Sequence, residues 1–580
     1  MSSRNMDPCE LKSNANGTSA QYIPRQVIIS DCLFLFGISL ISGISYVTRL
    51  GFYADDWYVL ALFKGAKDQS LMGLLRSLPG LLPKGLGVRP LEALYQACTY
   101  MIFGLHPLPY HLCNILVLSG SALLFYASLR ELRLPRSVTL TVPLVYELLP
   151  HYATDRFWLG AHQAVISQAF FFLGLYSALT AIRAARGWSI CLIAASILSY
   201  ALALLSYEAI VGLLPASVLL VGYRTYTQGH GNGDKRWASM LRGATYVLIT
   251  GACLAAILIY KAQFTNRILV SSQQAATGHV WASLWNVAKV TIGFNLLHYG
   301  ARLPKTAFEL FRFSGFGLEI AIIAGAIAIF TLLYLHRTLK GAKSPLLGAT
   351  ESLVLMTVGF VLFMLDYLPF LGLSSNFSYE GMDNRVTIAA AVGTACILTG
   401  GIMLFIRGVI PSKLQSLTFC GAIAGICALN YLCIASFGEC WAKASSRQHE
   451  IVSAVHEKVV LAPGSTLLLD GFCRYFGPAP VFENAWDAGG ALRIAYDNTR
   501  LQADVVSPSL EIGNDAIRTT FYGVTGRYPY DQRLWMHNVR WNMTLQLVDM
   551  NAARRYFSTV NPDKNSGCPL GIEGVGSAIR

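Results

Sequence analysis

Apolar runs recur along nearly the whole chain, and each is closed by a short polar or basic connection. A helix of about 20 apolar residues covers the roughly 30 Å of a bilayer's hydrocarbon, so the pattern predicts many membrane-spanning helices. Eleven spans follow from it: Val27–Val47, Tyr110–Leu129, Ser137–Leu149, Val165–Ile182, Ile190–Ser206, Ile210–Tyr223, Ala244–Tyr260, Phe316–His336, Leu353–Leu371, Val386–Phe405 and Leu417–Ala435. The third is short and is expected to extend or kink near Pro143. No small-residue cleavage site closely follows the first, so it reads as a retained anchor.

Two stretches break the rhythm. Residues 48–106 are too polar and too rich in Gly and Pro to span, yet hold amphipathic pieces at Trp57–Phe63 and Leu91–Phe103, the pattern of helices lying on the membrane interface. Lys261–Gly315 reads the same way. Basic residues follow alternate runs, among them Arg130, Arg133 and Arg136, then Arg183 and Arg186, and later Arg337, Lys340 and Lys343. Positive residues stay on the cytoplasmic side, which places the N-terminus inside and the C-terminus outside.

The polarity of the chain changes after about residue 436. Residues 1–436 read as one membrane domain, with its first outer loop at about 48–106. Residues 437–580 have the composition of a soluble protein and are enough for a separate core. Strands are predicted at Ser465–Leu469 and Asp504–Val506 and a helix at His449–Val460, so a small α+β domain is expected.

Composition supports this division. The chain is 54% hydrophobic and 13% charged, with a mean hydropathy of +0.47, which calls for lipid as the main solvent. A net charge of +13 would suit a nucleic-acid partner, but its sources cluster at the ends of apolar runs, where orientation signals belong. The thirteen cysteines show no CxxC spacing, and most sit inside the runs. Cys440, Cys473 and Cys568 fall in the polar stretch, where Cys473 with Cys568 could pair in an oxidising compartment.

Charged residues that hydropathy does not explain are the best pointers to chemistry. Asp55 and Asp56 follow the first span in Tyr53-Ala54-Asp55-Asp56-Trp57. A carboxylate there could take a proton from an acceptor hydroxyl, or could simply cap the interfacial helix that starts at Trp57. Lys84 and Arg89, in the same loop, suit an anionic phosphate leaving group, or snorkel to lipid headgroups. His106 and His111 read as structural, hydrogen-bonded at the loop.

These residues carry a resemblance. The order of first span, Asp55-Asp56-Trp57, Arg89-Pro90-Leu91, Phe103-Gly104-Leu105-His106-Pro107 and Tyr110-His111-Leu112-Cys113-Asn114 resembles the GT-C glycosyltransferases, above all their protein O-mannosyltransferase and aminoarabinose-transferase-like branch. Trp158-Leu159-Gly160 and Ser206-Tyr207-Glu208 are similar to that branch as well, and the resemblance covers roughly the first 220 residues. It implies a GT-C fold and transfer, with inversion, of a sugar from a polyprenyl- or dolichyl-phosphate donor to a lipid, glycan or protein acceptor. It implies Asp55 as the base, with Asp56 orienting it or helping to bind a divalent ion in members that use one. The family often has Asp with Glu here, so Asp-Asp leaves the choice between the two open.

The same resemblance sets Lys84, Arg89 and Arg385 against the donor phosphate. Tyr53, Trp57, His111, Trp158, His162, Tyr207, Glu208 and Glu380 would line the cavity. No nucleotide is needed, and the chain carries no Gly-rich phosphate loop. Asp366, near the outer end of its run, should need a partner, for which a cation of the same cavity would serve. Two rival classes are a secondary transporter and a non-catalytic polysaccharide- or glycolipid-assembly protein. Against the transporter, the chain has no two-fold repeat and no paired broken helices. Sequons at Asn376 and Asn542 matter only in a eukaryotic secretory membrane, and the compact loops favour a bacterial inner membrane with the C-terminal domain periplasmic.

Overall fold

A computed structural model describes residues 24–78, 89–228, 233–269, 293–315, 317–340, 346–367, 381–506, 510–521 and 524–559. Lys84, Asn376, Glu380 and Cys568 lie outside the described residues. In the membrane part α1 (Arg25–Gly43) is followed by three short helices, α2 (Asp55–Lys64), α3 (Leu71–Ser77) and α4 (Pro90–Phe103). Then come α5 (Pro107–Glu131), α6 (Arg136–Glu147), α7 (His162–Ala181), α8 (Arg186–Ser206), α9 (Leu213–Gln228) and α10 (Gly233–Leu269). The second half holds α11 (Leu303–Ser314), α12 (Leu318–Leu339), α13 (Ala349–Tyr367), α14 (Ala390–Val409) and α15 (Ser412–Lys458). Among the described residues ten helical segments are long and apolar enough to cross a membrane.

The remaining predicted span, Ser137–Leu149, is α6. At 12 residues it reaches only about 18 Å, and it is buried from Ser137 to Glu147 instead of facing lipid. Pro143 sits inside it. The chain then runs through a buried 3-10 segment, Pro150–Arg156, which carries polar groups into the protein. Helices stand where amphipathic pieces were read in the first loop, whereas the start of the second stretch, Lys261–Leu269, is the end of α10. Helices α2, α3 and α4 fill the first loop, and α11 buries Leu303, Ala307 and Leu310 while Phe308 stays exposed.

Asp31, the one charge inside the first span, is buried and fully used. It accepts hydrogen bonds from Tyr126 and Tyr334 and a two-pronged bond from Arg136. A buried carboxylate persists only with such partners, so its place in an apolar run is a helix-packing feature. Asp366 differs: it is buried, and neither carboxylate oxygen has a partner among the described residues.

Helix α15 has 47 residues, about 70 Å, and passes unbroken from the last span through residue 437 into the polar region. The predicted helix at His449–Val460 is its far end. Beyond it, β1 (Thr466–Asp470), the hairpin β2 (Tyr475–Phe476) and β3 (Ala479–Pro480), α16 (Ala485–Ala495) and β4 (Gln502–Val505) follow in order. Next come β5 (Glu511–Ile512), β6 (Ala516–Phe521), β7 (Val524–Pro529), β8 (Leu534–Asn538), β9 (Met543–Gln546) and α17 (Met550–Thr559). The main sheet runs β4-β1-β8-β9, with β1 parallel to both β4 and β8 and β9 antiparallel at the edge. β5, β6 and β7 form a separate antiparallel sheet. Cys473 is disulfide-bonded.

The C-terminal domain sits on the first loop. One apolar cluster runs from Tyr53 through Trp158 and Trp441 to Leu467 and Ala491, so the two regions share a core. Helix α16 opens with a capping box in which Asn484 accepts from Trp486 N–H, while Asp487 bonds back to the Asn484 N–H. Its Gly490 lies against α2 so closely that a Cβ there would come within 2.4 Å of the Trp57 carbonyl. Lys64 ties the far end of α2 to the Ile494 carbonyl at 3.0 Å and to Asp497.

Candidate active site

The segment before α2 is clamped from several sides. Tyr53 is fully buried, donates its hydroxyl to the Trp441 carbonyl at 2.7 Å and packs edge-on against that indole at 4.6 Å. Its own carbonyl accepts the Trp158 indole N–H at 3.1 Å. Gly51 abuts Ser445, and Gly438 abuts the Tyr46 ring, each too closely for a Cβ. Between these anchors Ala54 takes φ 46°, a backbone conformation that costs a non-glycine residue about 1 kcal/mol or more.

This turn sends the two acids in different directions. Asp56 points inward: one oxygen accepts from Tyr53 N–H at 3.0 Å and the other from Gly160 N–H at 2.9 Å, which stitches α2 to the turn before α7. Burial pushes its carboxyl well above the usual range, and the backbone bonds pull the other way. Asp55, the first residue of α2, is open to solvent, yet desolvation raises its carboxyl too, opposed by the Arg385 guanidinium. Asp55 thus keeps an edge open to solvent while protein surrounds much of it.

Arg385, in the short 3-10 turn Met382–Thr387, lies over the Trp158 ring at 4.7 Å. It is within electrostatic reach of Asp55, Glu92, Asp155 and Tyr207, and its Nε is buried without a partner among the described residues. Its turn is sewn to the buried segment after α6: Thr154 N–H donates to Asn384, Thr154 Oγ1 to the Gly381 carbonyl, and Thr387 to the His151 carbonyl. Arg385 is thereby brought from the second half of the chain to the acids of the first.

A second group of charges adjoins it. Arg89 grips Glu208 with Nε at 3.3 Å and Nη2 at 2.7 Å, and lies over the Tyr207 ring at 4.5 Å. Lys261 donates to Glu208 Oε2, the oxygen that Arg89 Nε also reaches, at 2.9 Å and to the Leu204 carbonyl at 2.7 Å. Glu92 stands 4.0 Å from Arg89; burial pushes its carboxyl up to about 7, with Arg89 pulling it down.

His111 and His162 are buried side by side, ring centroids 5.9 Å apart, and His111 Nε2 meets the Gly51 carbonyl at 3.0 Å. Trp57 packs on Phe52. Among the described residues no three His, Cys, Asp or Glu side chains come together as a metal ion would need. Asp56, inward and bonded to backbone, lines a small internal cavity together with Leu60, Gln96, Tyr110 and Leu159.

No protein-family model matches the chain, and no curated protein matches it. In fold it is similar to ArnT from Cupriavidus metallidurans bound to undecaprenyl phosphate, at 14% identity and TM-score 0.35 over 84% of this chain and 87% of that one. It is also similar to the Archaeoglobus fulgidus oligosaccharyltransferase tethered to an acceptor peptide containing the NVT sequon. There the identity is 12% and the TM-score 0.39, over 85% of this chain and 65% of that one. At these scores the likeness carries nothing about substrate or reaction.

Three residues of this neighbourhood escaped the sequence reading as site residues. Lys261 ended an apolar run and read as a boundary marker. Glu92 sits in a helix whose pattern already explained it as interfacial. Asp155 lies in the buried 3-10 segment, where neither carboxylate oxygen has a partner among the described residues and desolvation raises its carboxyl well above the usual range, opposed by Arg385 and Arg156. The signal for it was an Asp-Arg pair at positions 155 and 156, charges placed just after a short apolar run.

Proposed function

We propose that the protein is a membrane glycosyltransferase that moves a sugar from a polyprenyl-phosphate donor to an acceptor hydroxyl on the extracytoplasmic side. The observation that supports this most is the setting of Asp55. A carboxyl open to solvent but partly desolvated faces Arg385, beside a cluster that holds Arg89 and Lys261. A base and a set of cations in one place are what displacement of a phosphate ester requires.

In this reading the acceptor oxygen attacks the anomeric carbon from the face opposite the phosphate. Asp55 takes the hydroxyl proton as the new C–O bond forms, the bond to the phosphate oxygen breaks, and inversion follows. Arg385 and Arg89 carry the charge that builds on the departing phosphate, where fixed cations in a partly dry site act more strongly than in water. Asp56 keeps the turn in place through Tyr53 and Gly160. Trp158, under Arg385, orients the guanidinium.

The test is transfer of radiolabelled sugar from a panel of polyprenyl-phosphate sugars by the purified protein. Asp55→Asn should lower transfer at least about 100-fold, as expected on losing a general base, while binding of polyprenyl phosphate is kept. Unchanged transfer by this variant would remove Asp55 from the mechanism. No transfer from any donor by the wild type would overturn the reading.

A further inference from the structure

Glu208 sits between a guanidinium fork, Arg89, and an ammonium, Lys261, with an aromatic platform, Tyr207, under the fork. This is the surrounding expected of a bound oxyanion, and here a side chain of the protein fills it. The three members differ in freedom. The Lys261 side chain is 7% exposed and also tied to the Leu204 carbonyl, so it cannot follow a ligand outward. The Glu208 side chain is 36% exposed and can turn to water when its bonds are exchanged. Lys261, held away from water, needs an anion at all times, because an unpaired buried charge is costly, while the Arg89 side chain is 30% exposed.

We propose that Glu208 is a displaceable internal anion: it occupies the phosphate seat in the ligand-free protein, and a polyprenyl-phosphate headgroup binds by taking its place on Arg89 and Lys261. The inference rests on the glycosyltransferase reading for the identity of the lipid. Its new content is the role of Glu208 and the assignment of Lys261 to the seat. Binding then exchanges one anion for another, so the free energy of the Glu208 contacts is subtracted from the affinity for the lipid. Glu208 is a placeholder and touches no reacting atom.

The sign of one substitution separates this from a structural role. The full-length protein in detergent is titrated with undecaprenyl phosphate carrying no sugar, reading both the dissociation constant and the rise in thermal midpoint. Glu208→Gln, which leaves the cations but removes the competing charge, should bind at least about five-fold more tightly and show a larger ligand-induced rise than the wild type. Lys261→Met should bind more weakly.

Weaker or equal binding by Glu208→Gln overturns the proposal. Should that variant fail to fold, Glu208→Asp, too short to span both cations, is expected to bind more tightly than the wild type, and equal or weaker binding again overturns it. Inorganic phosphate forms the second arm. A wild-type affinity for the lipid well above that for the free ion supports the headgroup as occupant, and equal affinities overturn it. Because no sugar is present, a wild type that binds the lipid but transfers nothing would overturn the transferase reading and leave this one standing.

Discussion

Asp55 and Asp56 are chemically identical neighbours that the backbone sends to opposite environments, so their substitutions should fail in different ways. Asp55→Asn should keep the thermal midpoint and lose transfer. Asp56→Asn weakens the acceptor of the Tyr53 and Gly160 N–H groups, and should lower stability by about 1–3 kcal/mol, read as a fall in thermal midpoint. Glu92 gives a second test at this scale. Its carboxyl titrates near 7 in the folded protein against an ordinary value of 4.5, so between those values the folded chain holds a proton that the unfolded chain has lost. Stability should therefore fall as pH rises through that window. Glu92→Gln should flatten part of the slope of thermal midpoint between about pH 5 and about pH 8, measured against the wild type. The acidic pair was conspicuous in the sequence because two charges right after an apolar run stand out. Which of the two stays open to solvent was not legible, since the answer depends on Gly160, more than a hundred residues away, and on the φ of Ala54.

Helix α2 owes its place to elements at both ends of the chain. Gly490 is the narrowest of these contacts, since a Cβ there would meet the Trp57 carbonyl carbon and oxygen and the Tyr58 nitrogen, all backbone atoms that cannot swing aside. Gly490→Ala should push α16 off α2, lowering stability by about 1–3 kcal/mol and reducing transfer, both measurable on the purified variant. In the sequence Gly489-Gly490 reads only as a weak spot in a helix, because close approach is a property of two surfaces and the second lies over four hundred residues upstream. Other elements were plain. Helices α2 and α4 of the first loop announced themselves by amphipathic spacing, and β1 and β4 by short apolar runs. Helix α6 had the hydropathy of a span but not the length. It is apolar because protein surrounds it on every side, and hydropathy does not distinguish burial in protein from burial in lipid.

At the scale of the molecule, the membrane part and the polar part are one mechanical body. The composition changes near residue 437, but α15 continues through it, because a helix needs only backbone bonds and a packed face, whatever its solvent. Along that helix Gly438, Trp441 and Ser445 meet Tyr46, Tyr53 and Gly51 in turn. The angular phase of α15 is thereby locked to the loop that carries Asp55. One residue inserted just before Gly438 would advance everything beyond it by about 1.5 Å and rotate it by about 100°. The three contacts would then face elsewhere, and such an insertion should abolish transfer and lower the thermal midpoint. Length along this helix is thus a conserved quantity in the mechanical sense: a chain that altered it would have to redraw its first loop in the same step.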